Sequence, residues 1–114
     1  MKKIFFIADN YNRNYALDSI PAIAKTGANA IRIQWRINLQ GGLTNDHLDK
    51  VIQASINNGL VPIVQLHDAT GSSDRWALDN CATWFKNNVW LLNKYKKYLI
   101  VNIANEWVKY LKFC

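Results

Sequence analysis

Short aliphatic runs alternate with longer amphipathic stretches along this chain, and the two periods predict a repeating strand–helix order. The run IFFIA (4–8) ends in the turn-forming residues DNYNRN. From Tyr15 to Lys25, Ala16, Ile20, Ile23 and Ala24 recur at helical spacing. Asp18 and Ser19 ahead of Pro21 offer a cap with proline in the first turn, and Gly27 stands where a helix stop belongs. NAIRIQW (29–35) is the next strand, and LQGGLTNDH (39–47) is loop. NDHLDKVIQASINN (45–58) then forms an amphipathic helix on Leu48, Val51, Ile52 and Ile56, ended by Gly59. LVPIVQL (60–66) is a third strand, HDATGSSD (67–74) a polar loop, and a third helix spans about Trp76 to Tyr95. YLIVNIA (98–104) is the fourth strand.

Aliphatic strands without clean alternation suit a parallel sheet covered by helices. The strands near 4–8, 30–35, 60–66 and 98–104 begin about thirty to forty residues apart, the unit length of an eightfold β/α barrel of ~250 residues. The expected fold is therefore α/β, a (β/α)8 barrel of which residues 1–114 form one partial domain covering the first four strands. A four-stranded flavodoxin-like sheet is the alternative at this length, although it calls for another strand and helix after residue 104. An open half-barrel leaves unpaired strand edges at both ends and apolar residues on its concave face.

Composition narrows the function classes. Half of the 114 residues are hydrophobic and the formal charge is +6, which raises the question of nucleic acid. The lysines are spread thinly, and the densest group, NKYKKY (93–98), falls at a helix end, where cations complement the helix dipole. No nucleic-acid partner is expected. Cys81 and Cys114 have no metal-ligand spacing and make no disulfide framework, so no metal or cofactor is expected. The apolar run Ile4 to Ala8 is shorter than a signal peptide's core, and no stretch nears the ~20 residues of a membrane span. It reads as a strand, with no visible signal peptide and no membrane partner.

Functional residues of parallel α/β folds collect at the carboxyl ends of the strands. Those ends read Asp9 and Asn10, then Arg32 with Gln34 and Trp35, then His67 and Asp68, then Asn105 and Glu106. Taken singly, Arg32 can be an ion-pairing residue, His67 a satisfied core histidine and Asn105 a turn residue. Glu106 is the hardest to dismiss. It is the one glutamate in the sequence, set between an amide and an indole straight after a strand, an arrangement that suits acid–base work on a sugar.

The segments SIPAIAKTGANAIRI (19–33), NNGLVPIVQLHDATG (57–71) and LIVNIANEW (99–107) together resemble the glycoside hydrolase family 5 enzymes, especially bacterial β-1,4-mannanases and related endoglucanases. The resemblance implies hydrolysis of a β-1,4-linked polysaccharide, mannan or a β-glucan such as cellulose, by a retaining mechanism. It implies Glu106 as proton donor, Asn105 as the residue bonding the sugar's 2-hydroxyl, Arg32 as support for the nucleophile, and His67 near the cleavage point. Trp107, and also Trp35 or Tyr11, are candidates for stacking on sugar rings or for plain core and rim aromatics.

The sequence departs from the family where the nucleophile is expected. A strand-seven glutamate is missing, and VKYLKFC (108–114) looks unlike the family's continuation. The resemblance implies secretion, without a visible signal. The expectation is a truncated or frame-shifted form, inactive or impaired alone. The alternatives are a non-catalytic carbohydrate-binding half-barrel and a half-barrel that closes on a second copy or on a separate second half.

Overall fold

Four strands line up in parallel in the order of the chain: β1 (Ile4–Ala8), β2 (Ala30–Trp35), β3 (Val61–Leu66) and β4 (Ile100–Asn102). They come from a computed structural model describing residues 4–8, 15–38, 44–105 and 107, with only the backbone described for 4–8 and 15–16. Four helices join them: α1 (Tyr15–Lys25), α2 (Asn45–Asn57), α3 (Arg75–Asn87) and α4 (Val89–Tyr95). Nearest neighbours in sequence are nearest neighbours in the sheet, the order expected when every crossover carries its own helix.

The strands' two faces have different partners. On β2, Ile31, Ile33 and Trp35 are fully buried under the helices, whereas Ala30, Arg32 and Gln34 are half-buried on the opposite, concave face. The register carries that division across the sheet. Arg32 stands beside Ile63 and Ile63 beside Ile100, and one layer further on Gln34, Gln65 and Asn102 form a row. Barrel interiors are ordinarily filled by branched aliphatic residues. A row of three amides at the carboxyl end of the concave face therefore marks a polar layer.

The helix side holds the core. Ile20 of α1, Leu48, Val51 and Ile52 of α2, and Cys81, Trp84 and Phe85 of α3 close over the strands. At roughly 1.5–3 kcal/mol for each fully buried large apolar side chain, this layer dominates the fold's stability. Gly27 (φ 86°) and Gly59 (φ 75°) end α1 and α2 in the left-handed region, where a side chain is strained, and each amide returns a hydrogen bond to its helix.

Three local expectations are corrected. Pro21 lies inside α1 rather than in its first turn, since the helix already starts at Tyr15; its ring sits on the exposed side, so only a solvent-facing hydrogen bond is lost. The single long third helix is two, broken at Asn88 (φ −112°, ψ 28°). The buried Asn88 amide donates to Trp84 O at 2.8 Å while its oxygen accepts from Asn45 Nδ2 at 3.0 Å, tying the break to the start of α2. The fourth strand, expected over 98–104, spans only Ile100–Asn102.

Candidate active site

The carboxyl ends of β2 and β3 are extended by backbone bonds beyond the strands. His67 N–H donates to Trp35 O at 2.9 Å, and Asn105 N–H donates to Leu66 O at 2.9 Å. The second bond matters most. After β4 ends at Asn102 the chain bends, then returns to the sheet at Asn105, which fixes that residue at the mouth beside the end of β3.

There the Asn105 side chain, 6% exposed, becomes the hub of a hydrogen-bonded group. Its Oδ1 accepts from Arg32 Nη2 at 3.2 Å and also from Gln65 Nε2. Its Nδ2 donates to Thr70 Oγ1 at 3.0 Å, and Thr70 Oγ1 in turn donates to His67 O at 2.8 Å. Residues from β2, β3, the loop after β3 and the segment after β4 thus meet at one point. A buried amide held on three sides in this way is costly to leave unpaired and strongly constrained in position.

Of the residues singled out in the sequence, Arg32 and Asn105 are brought into direct contact, and His67 joins them through its backbone carbonyl. The His67 ring is half-buried, and its buried Nδ1 has no hydrogen-bond partner among the described residues. Trp107 is half-buried against the core, its indole N–H donating to Asp74 O at 2.8 Å just ahead of α3. Glu106 and Tyr11 lie outside the described residues, as do Asp9 and Asn10.

Trp35 does not serve as a stacking platform. Its ring is 0% exposed on the helix side of the sheet, its indole N–H donates to Asn45 Oδ1 at 3.3 Å, and it stacks on His47 with ring centroids 6.3 Å apart. The alternation along β2 decides this, because Arg32 faces the concave side and a residue three places later must face the helices. Sequence reasoning also passed over Gln65 and Thr70. A glutamine in an otherwise apolar strand, two residues before His67, was the available signal. Among the described residues no group of three or more His, Cys, Asp or Glu side chains is arranged to hold a metal ion.

Parallel β/α units in sequential order, with a polar layer and converging side chains at the carboxyl ends, define the class: the first four strands of a (β/α)8 barrel. The sequence profile of the cellulase family, glycosyl hydrolase family 5, matches residues 6–110, and the chain belongs to that family. It is 37% identical over 99 residues to a mannan endo-1,4-beta-mannosidase of Salipaludibacillus agaradhaerens, an alignment covering 83% of this chain and 31% of the relative. Its fold matches the beta-mannanase from Streptomyces thermolilacinus with a TM-score of 0.79 at 24% identity, over 92% of this chain and 37% of that one. The Thermomonospora fusca beta-mannanase in complex with mannohexaose gives a TM-score of 0.79 at 20% identity, over 91% and 36%. The chain thus spans about a third of the length of the relatives it matches.

Proposed function

We propose that this chain carries the proton-donor side of a retaining β-1,4-glycanase site acting on mannan, with Glu106 as acid and base. The observation that carries the reading is the contact between Arg32 and Asn105 at the barrel mouth, next in sequence to Glu106. In support stand the family match and the 37% identity to a mannan-cleaving relative. Glu106 gives its proton to the glycosidic oxygen as the bond to C1 breaks, and a second carboxylate about 5–5.5 Å away attacks C1 to form a glycosyl ester. Water then adds at C1, returns its proton to Glu106, and frees the nucleophile. Asn105 bonds the sugar's 2-hydroxyl and tightens as oxocarbenium character develops. Arg32 holds Asn105 in place, and His67 lines the same mouth.

The nucleophile carboxylate belongs to the part of the barrel that residues 1–114 do not span, so the test supplies it. Residues 4–107 replace the matching segment of the Salipaludibacillus agaradhaerens enzyme. The chimera is expected to hydrolyse β-1,4-mannan with retention at C1, followed by proton NMR of the released sugar, and Glu106→Gln should cost about 10²–10⁴-fold in kcat. A folded chimera that is equally active with and without Glu106→Gln overturns the assignment.

A further inference from the structure

The bonds around Asn105 determine which way round its amide lies, and they do so from both ends. Arg32 has only donors, so the atom of Asn105 that meets it must be Oδ1. Thr70 has a single hydroxyl hydrogen, committed to His67 O at 2.8 Å, so toward Asn105 its oxygen can only accept, and the atom facing it must be Nδ2. With both ends set, Gln65 has no choice either. It must turn Nε2 toward Oδ1, which leaves its own Oε1 buried without a partner among the described residues. An unpaired buried acceptor on a 0% exposed side chain costs free energy that the opposite rotamer avoids only by setting oxygen against oxygen.

We infer that Gln65 is a positioning residue that, together with Arg32, locks the Asn105 amide so that it meets substrate as a hydrogen-bond donor. Both acceptor directions of Oδ1 are filled by Arg32 and Gln65, and one Nδ2 hydrogen is held by Thr70. The remaining Nδ2 hydrogen has no acceptor among the described residues, and it is the group offered to a lone pair of the sugar hydroxyl. The substrate half of this statement rests on the proposed function. The lock itself does not.

The lock is read in the 15N-labelled 114-residue chain from side-chain amide resonances, which a merely space-filling glutamine leaves unprotected. The wild type should show a well-separated Asn105 Nδ2 proton pair with one exchange-protected proton, and a protected Gln65 Nε2 proton. Gln65→Glu keeps the shape and, at a pH where the new carboxyl is ionised, can only accept, so there the Asn105 pair should move and lose its protection. Thr70→Val, at an exposed position, should abolish the Asn105 protection while the Gln65 Nε2 proton stays protected. An unprotected, averaged Asn105 pair in the wild type overturns the inference, and so does Gln65→Glu leaving that pair unchanged. Should Gln65→Glu not fold, the wild-type and Thr70→Val spectra decide alone. Added mannohexaose then separates the two readings, since a locked amide that ignores the sugar counts against the proposed function and leaves the positioning role standing.

Discussion

The Arg32 guanidinium and the Asn105 amide oxygen, 73 residues apart in the chain, meet at 3.2 Å across the mouth of the sheet. Neither β2 nor β4 alone creates that contact. It depends on β3 lying between them in register, with Leu66 holding the Asn105 backbone. What this point of convergence does can be measured in several ways.

Removing the hub should take one hydrogen bond from each of three partners. In Asn105→Ala, Arg32, Gln65 and Thr70 each lose a hydrogen bond in a part-buried setting. A loss of about 1–3 kcal/mol is expected, the scale of a buried polar group left without its partner. Urea unfolding followed by circular dichroism checks it, and an unchanged midpoint means the network contributes nothing to stability.

The 114-residue chain by itself should release no more than trace reducing sugar from β-1,4-mannan or carboxymethylcellulose. A retaining site needs two carboxylates, and this sequence holds one glutamate. Robust turnover, lost in Glu106→Gln, requires instead that an aspartate or a second copy supply the nucleophile.

Acid stability should depend on Asp49, which links α2 to α4. Burial pushes its carboxyl pKa up, but hydrogen bonds from Tyr95 and Lys94 and the Lys94 charge outweigh burial and hold it below its ordinary value. A lowered folded pKa gives stability that is present above the unfolded value, about 3.9, and is lost as pH falls through the folded one. Asp49→Asn should therefore reduce stability at neutral pH and flatten the acid limb of a melting-temperature profile. Parallel acid limbs for the two proteins refute the linkage.

Association should begin at β4. Ile100, Val101 and Ile103 are 52%, 38% and 47% exposed along this strand and the residue beyond it. Among the described residues no strand covers the outer edge of β4, and apolar side chains beside such an edge favour pairing with another chain. Sedimentation velocity of the 114-residue chain is expected to show dimers or larger species, and the double substitution Ile100→Lys, Ile103→Lys should shift it toward monomer. A monodisperse wild-type monomer at tens of micromolar, comfortably above weak dissociation constants, rules this out.

The alternation of aliphatic runs with helical periods determined the parallel strand–helix order, the half-barrel and the strand ends at which Arg32, His67 and Asn105 stand, because burial on one or both faces writes itself into spacing. Glycines at 27 and 59 marked two helix stops for the same local reason, since only positive φ lets the chain turn there at low cost. What lay beyond local pattern was decided by tertiary structure. The break at Asn88 answers to Asn45, forty-three residues earlier in the chain. Trp35 was pulled to the helix side by the pleat that sends Arg32 to the mouth. Gln65 became part of the site only because β3 sets it beside Asn105, and a hydrogen bond between residues forty positions apart leaves no period in a sequence to read.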